Sequence, residues 1–125
     1  MDPVLSFIYE KQGNQRALLE QLHNLITSFP GVTYKLRYRI PFYYRKSWIC
    51  YLNPVKGNGI ELVCLRANEL SNEGGLLDFR GRKQVAGVTY YSVAEIEETP
   101  LVETLQEAYI LDDEVPYAAK RKQKN

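Results

Sequence analysis

The sequence predicts an α+β fold, a two-layer sandwich with an N-terminal helix, an antiparallel meander sheet of four to five strands, and a C-terminal helix. Three observations predict it. An apolar helical repeat precedes Pro30, short apolar or alternating runs fill residues 33–91, and a second helical repeat follows Pro100. The chain has 125 residues, enough for one core, and we expect a single domain over residues 1–115.

The N-terminal helical segment is expected in two pieces. Asp2 as N-cap and Pro3 at the first helical position predict a short helix from Asp2 to Lys11, which Gly13 interrupts. Asn14 then caps a longer helix that ends before Pro30-Gly31. Its apolar side chains recur every three or four residues, at Leu18, Leu19, Leu22, Leu25, Ile26 and Phe29.

A strand is predicted over Thr33–Ile40, because Thr33, Lys35, Arg37 and Arg39 alternate with apolar or aromatic residues. The positive charges should therefore line one face. Pro41 has no N–H to donate and predicts a strand break or edge before a second extended run, Phe42–Arg45.

Two further strands, Trp48–Asn53 and Ile60–Leu65, are expected to form a hairpin across a turn that contains Gly57-Asn58-Gly59. If the facing residue numbers sum to 114, Cys50 faces Cys64 on the apolar side, together with Trp48, Leu52, Ile60 and Leu62. A slip of one residue separates the two thiols. The first register gives the cleaner apolar face, and both cysteines are expected in the core as free thiols.

The remaining chain is predicted to add a polar loop, a strand and a helix. A glycine-containing loop, Asn68–Lys83, precedes the last strand, Gln84–Tyr91. Ser92 and Glu95 fit a capping box, and Thr99-Pro100 fit an N-cap for a helix over Pro100–Asp112. Residues 116–125 end in Lys120-Arg121-Lys122-Gln123-Lys124-Asn125, and we expect this basic tail to be disordered.

Composition excludes several functional classes. Sixteen Lys and Arg residues against fifteen Asp and Glu residues leave a net charge of +1, so no global field favours nucleic acid or an anionic membrane. The longest apolar runs are far shorter than the roughly 20 residues that cross a bilayer. No secretory signal is evident at the N-terminus, and we expect a cytoplasmic protein without membrane association, as a monomer or homodimer.

The segment from Tyr38 to Leu52, Tyr-Arg-Ile-Pro-Phe-Tyr-Tyr-Arg-Lys-Ser-Trp-Ile-Cys-Tyr-Leu, resembles the bacterial YdhG-like domain family. The family pattern is Tyr-Gly-(Met/Leu)-Pro followed by an aromatic residue, a lysine-rich turn and a Cys-Tyr strand, and the likeness runs from about Leu5 to Asp113. The resemblance implies a frataxin-like fold and a role as an intracellular iron chaperone. Arg39 stands where glycine is usual in the family and adds a charge.

The strongest local signal is a basic, aromatic segment. Residues 31–56 carry six bases and no acid among five tyrosines and one tryptophan. Guanidinium groups on an open sheet face bind phosphate or carboxylate, and tyrosines supply stacking and hydroxyl groups. We therefore predict a non-enzymatic domain that binds a small anionic ligand or a protein segment on this face. The candidate ligand-binding residues are Lys35, Arg37, Arg39, Tyr43 and Arg45.

Three alternatives stay open. Glu103 and Glu107 share one helix face and are candidate ligands for iron, although a solvated acidic helix is the favoured explanation for them. Single-stranded nucleic acid would use the same basic, aromatic face. His23, the only histidine, has no partner visible in the sequence, so no catalytic residue is assigned, and a structural role is favoured.

Overall fold

The computed structural model describes residues 2–117, in which helices and strands follow the predicted order. The helices are α1 (Pro3–Glu10), α2 (Gly13–Thr27) and α3 (Glu98–Glu114), and short 3-10 helices lie at Ala67–Glu69 and Val93–Glu95. The strands are β1 (Thr33–Arg37), β2 (Ile40–Tyr44), β3 (Trp48–Val55), β4 (Gly59–Cys64) and β5 (Ala86–Tyr90). They pair antiparallel in the order β1-β2-β3-β4-β5, which confirms the predicted α+β meander.

The hydrophobic core lies between the helices and one face of this sheet. Its fully buried side chains include Ile8, Leu18, Leu22, Leu52, Ile60, Leu62, Leu101 and Leu105. All three helices thus contribute to the core on one face, as predicted. The opposite face, which we call the open face, carries the side chains that alternate with the core residues along each strand.

The helix caps follow the sequence only in part. Asp2 Oδ1 accepts hydrogen bonds from Val4 N at 2.8 Å and Leu5 N at 3.3 Å, which confirms the first cap. The predicted Asn14 cap is wrong, because α2 begins at Gly13 and its N-cap residue is Gln12. The Asn14 amide instead donates to the carbonyl oxygens of Asn58 and Tyr91, and so ties α2 to the sheet.

The predicted caps before α3 are also wrong. The helix begins at Glu98, ahead of the predicted Thr99-Pro100 start, and its N-cap residue Glu97 makes no side-chain hydrogen bond. The Glu95 carboxylate accepts from Tyr91 N at 2.6 Å rather than closing a capping box with Ser92.

The first strand ends earlier than its alternation predicts. Tyr38 and Arg39 have φ of 53° and 67°, and they form a two-residue turn between the paired residues Arg37 and Ile40. Positive φ at both positions is the hairpin geometry usually occupied by Asn-Gly. Pro41 does not mark a break: it lies within β2, one residue before the pairing of β2 with β3 begins at Phe42.

A β-bulge changes the register between β2 and β3. Tyr43 faces Cys50, whereas Tyr44 faces Trp48, so Ile49 is the extra residue on β3. The bulge reverses the alternation at this point, and Trp48 packs on open-face residues. The predicted position of Trp48 on the Cys50 side is therefore wrong.

The register between β3 and β4 is the predicted one. Cys50 faces Cys64, Leu52 faces Leu62, and the two cysteines are free and buried. Burial raises the pKa of the Cys64 thiol to about 12 and raises that of Cys50 well above its ordinary value. Both thiols therefore stay protonated and act as small core residues.

The C-terminal half of α3 is anchored to the turn between β2 and β3. Asp112 is 1% exposed, and its carboxylate accepts hydrogen bonds from Lys46 N at 2.7 Å, from Ser47 N at 3.3 Å and from Ser47 Oγ. The carboxylate satisfies two backbone donors that no strand partner reaches. The adjacent Asp113 pairs with Arg45 on the surface.

The predicted tail lies largely outside the described residues. Its first part is described, and Tyr117 N donates to Ser47 Oγ at 3.2 Å. Residues 118–125 are not described, so disorder over residues 116–125 stays a prediction. Within residues 2–117, no helix combines the length and the apolar character needed to cross a bilayer.

We expect Asp112→Ala to lower the free energy of unfolding by about 2–4 kcal/mol, because it leaves buried backbone donors without acceptors. Urea denaturation measures this change. Asp113→Ala is the matched control, since it removes the adjacent charge from an exposed ion pair and should have a much smaller effect. Equal losses for the two variants would contradict an anchoring role for Asp112.

Arg39→Gly should raise the free energy of unfolding by about 1 kcal/mol, because glycine adopts positive φ without the steric cost of a Cβ atom. Arg39→Ala removes the same charge and keeps the Cβ atom, so it should not stabilise the protein. If thermal or urea unfolding shows equal stabilisation by both variants, the gain comes from removed charge and not from relieved backbone strain.

Candidate functional site

The open face contains a cleft of about 570 Å³ over β1, β2 and β3. We call it the open-face cleft. Its principal lining residues are Arg37, Tyr38, Phe42, Trp48, Tyr51 and Asn53. This volume lies within the range of roughly 300–1,000 Å³ that is typical of small-molecule sites. The remaining lining residues are Ile40, Leu65, Gln84, Val85 and Tyr117. The whole lining combines one cation and two amides with five aromatic rings.

Arg37 lies over the aromatic wall of the cleft. Its guanidinium carbon is 4.4 Å from the centroid of the Trp48 ring and 5.2 Å from that of Phe42. Lys35 Nζ lies 5.8 Å from the same Trp48 ring. Phe42 in turn stacks on Tyr51 at 4.8 Å, so the rings form one continuous cluster. These contacts hold the guanidinium in place without using its N–H groups.

Arg37 has no anionic partner in the part of the chain that the structure describes. No carboxylate of residues 2–117 forms an ion pair with it, and none of its N–H groups donates to an acceptor there. Other arginines are matched: Arg45 pairs with Asp113, and Arg66 pairs with Glu69 at 2.9 Å. Arg37 therefore retains five donors for a ligand.

The other half of the open face is closed by the loop before β5. Glu61 is 3% exposed, and its carboxylate accepts from Arg82 at 2.8 Å and lies 3.7 Å from Arg80. A Cβ atom on Gly87 would lie 2.6 Å from Glu61 Oε2, so the glycine makes room for this buried carboxylate. The ion pair closes the face over β4 and β5 and leaves the cleft over β1 to β3.

The predicted ligand-binding residues do not form one group. Lys35 and Arg37 lie on the open face as predicted, beside Trp48. Arg39 does not continue the strand face, because it occupies the turn after β1, where its side chain is exposed at the hairpin tip. Tyr43 and Arg45 lie on the opposite side of the sheet.

Tyr43 is fully buried in the core, and its expected place on the open face is wrong. Tyr43 alternates with the open-face residue Phe42, so it faces Cys50 beneath α2, where its hydroxyl and His23 Nδ1 share a hydrogen bond of 2.8 Å. Burial raises the pKa of Tyr43 well above its ordinary value, so the hydroxyl stays protonated in its hydrogen bond with the imidazole. The Tyr34 ring contacts the same imidazole edge-on at 4.7 Å.

Arg45 is also misplaced by the sequence prediction. It follows β2 and turns toward α3, where its guanidinium pairs with Asp113 and donates to Pro30 O at 3.1 Å. The pairing with Arg45 lowers the pKa of Asp113. Arg45 therefore fastens α3 to the sheet and is not available to a ligand of the cleft.

The sequence prediction omitted most of the cleft wall. Phe42, Trp48, Tyr51 and Asn53 line the cleft, but none of them was a candidate ligand-binding residue. The register that places Cys50 in the core also places Tyr51 and Asn53 on the open face, so alternation could have found these two. No local signal marks the bulge that brings Trp48 to the same face.

One of the two acidic candidates, Glu107, has hydrogen-bond partners within the protein. Glu107 uses both carboxylate oxygens to accept from Ser71, from its N at 2.6 Å and from its Oγ at 3.0 Å. Across residues 2–117, no three His, Cys, Asp or Glu side chains are grouped as metal ligands. Glu107 therefore fastens the loop at Ser71 to α3, and iron binding by Glu103 and Glu107 stays a prediction.

Comparisons of the chain with family models, curated proteins and solved structures find no match. The resemblance to the YdhG-like family thus stays a prediction, as do the frataxin-like fold and the iron-chaperone role that it implies. The α+β meander itself is shown by the structure.

His23 gives the protein a defined pH dependence. Burial lowers its pKa, and the Asp2 carboxylate opposes this only in part. The unfolded chain therefore binds a proton at a higher pH than the folded protein does. The contribution of neutral His23 to stability is complete above pH about 6.5 and is lost as the pH falls toward the lower folded pKa.

We expect the free energy of unfolding to fall as the pH is lowered below about 6.5, with a slope of at most about 1.4 kcal/mol per pH unit. Urea denaturation across this range measures the slope. Because His23 is the only histidine, His23→Gln should remove the dependence in this range. An unchanged slope in the variant would show that another group titrates there.

Proposed function

We propose that this protein is a non-enzymatic binding domain that holds a small anionic ligand in the open-face cleft. The observation that carries the proposal is the unmatched guanidinium of Arg37, held against Trp48 at 4.4 Å. A partly buried cation without an anion is costly, and a bound phosphate or carboxylate removes that cost.

The surroundings of Arg37 favour a small ligand with an apolar part. The rings of Phe42 and Tyr51 are stacked on the cleft side of the sheet, and Tyr38 stands at the rim with 78% of its surface exposed. Such rings bind flat apolar groups, while Lys35 adds a second positive charge beside Trp48. The cleft thus offers ion pairing and ring stacking within one volume.

The non-enzymatic part of the proposal rests on where the titratable groups lie. His23 is engaged with Tyr43 in the core, on the face opposite the cleft. Glu61, the buried carboxylate of the open face, is already paired with Arg82. Neither is placed to move a proton at a ligand beside Arg37.

Single-stranded nucleic acid is the second candidate ligand. The feature that favours it is the exposed Tyr38 ring next to Arg39 at the hairpin tip, because bases stack on such rings while cations contact the backbone. A bound nucleic-acid strand would extend beyond the cleft along the β1–β2 hairpin, whereas a small ligand would not.

We expect Arg37→Gln to weaken the binding of small anions about tenfold to a hundredfold, because it removes a charge-assisted hydrogen-bonding group. The sole tryptophan, Trp48, lines the cleft, so its emission reports binding directly. Titration with inorganic phosphate, pyrophosphate, a sugar phosphate and mononucleotides identifies the anion class.

Lys56→Gln is the matched control, since it removes one positive charge at the exposed turn between β3 and β4. It should leave anion affinity unchanged. Equal affinity for Arg37→Gln and the original protein, or no binding of any of these anions, would overturn the proposed function.

A further inference from the structure

A second polar group faces Arg37 across the open-face cleft. Arg37 pairs with Ile40, and continuing the register of β2 and β3 places Ile40 beside Asn53. Arg37 and Asn53 therefore lie in one row across the sheet, two strand spacings or about 9.5 Å apart. Both line the cleft.

The Asn53 amide is not used by the described residues. None of its N–H groups or its carbonyl oxygen has a hydrogen-bond partner within residues 2–117, although the residue is half-buried. Its cross-strand neighbour Glu61 does not serve it, because that carboxylate is held by Arg82. A half-buried amide with two free donors and a free acceptor is suited to the polar edge of a ligand.

Aromatic rings flank the row that contains these two groups. Phe42 stacks on Tyr51 at 4.8 Å with 24° between the ring planes, in the row next to that of Arg37 and Asn53. The exposed Tyr38 ring stands above Phe42 at 5.7 Å. The cleft therefore has a cation at one end, an amide at the other and ring surfaces beside the row that contains them.

We infer that the ligand of the open-face cleft is a nucleotide, with its phosphates at Arg37 and Lys35 and its base among the rings with an edge toward Asn53. This inference rests on the proposed function and names the ligand class. A phosphate alone leaves the rings and the amide unused, and a nucleoside alone leaves the cation unmatched. A nucleotide carries both groups in one molecule of a size that the cleft accepts.

Adenine provides the sharpest probe. A carboxamide pairs with the N6 donor and the N7 acceptor of adenine through two hydrogen bonds. Binding of ADP, adenosine and pyrophosphate to the full chain is measured by Trp48 emission and by calorimetry. ADP should bind at least tenfold tighter than either of its parts. This comparison uses the unaltered protein, so it does not depend on the folding of a variant.

Two variants then test which residue contacts the base of the nucleotide and which contacts its phosphates. Asn53→Leu should weaken ADP at least fivefold and leave pyrophosphate unchanged, whereas Arg37→Gln should weaken both. Asn24→Leu, at an exposed position on α2, is the matched control and should change neither. Unfolding midpoints verify that each variant is folded.

The outcomes separate the two levels of the proposal. If pyrophosphate and ADP bind equally, or Asn53→Leu does not affect ADP, the nucleotide inference is wrong while anion binding at Arg37 stands. If Arg37→Gln affects neither, the proposed function fails as well. If an adenine hexanucleotide binds tenfold tighter than ADP, the site holds a strand and the single-nucleotide inference is overturned.

Discussion

The β-bulge between β2 and β3 is the constraint that brings Trp48 to the open face of the sheet. The extra residue Ile49 lies on β3 between Trp48 on the open face and Cys50, which faces Tyr43 in the core. Strict alternation would place Trp48 with Cys50, under the helices. The cleft would then lose the ring over which Arg37 lies. The aromatic wall and the position of its cation thus both depend on this irregularity.

Some basic side chains of the described residues pair with a carboxylate and Arg37 does not, and this difference defines the site. The acidic closing helix neutralises part of the basic segment, since Asp113 pairs with Arg45. On the open face, Glu61 forms an ion pair with Arg82 and so holds the loop that covers β4 and β5. Arg37 receives no such partner among the described residues, although eight acids lie within residues 95–114. Ion pairs among the described residues therefore account for Arg45 in the basic segment and leave Arg37 without an anion.

Periodicity and register predicted much of the fold, because they report burial directly. The pairing of Cys50 with Cys64 followed from choosing the register with the cleaner apolar face, and the structure has that register. The candidate site was predicted less well. The turn at Tyr38 and Arg39 contains no residue that prefers positive φ, so no local signal separates it from a continuing strand. The bulge, which brings Trp48 to the open face, is likewise decided by tertiary packing. The two-residue turn sets the register that places Tyr43 opposite Tyr34, on the core side of the sheet.

The strained turn and the unmatched cation lie at the same end of the cleft. Tyr38 and Arg39 hold a conformation that disfavours both side chains, and a two-residue hairpin needs neither of them. The turn places the exposed Tyr38 ring at the rim of the cleft. There the centroid of this ring lies 5.3 Å from the guanidinium carbon of Arg37. Strain persists where the surrounding structure enforces it, and such positions cluster at ligand-binding sites. Two independent departures from ordinary folding, in backbone conformation and in charge pairing, thus converge on Arg37.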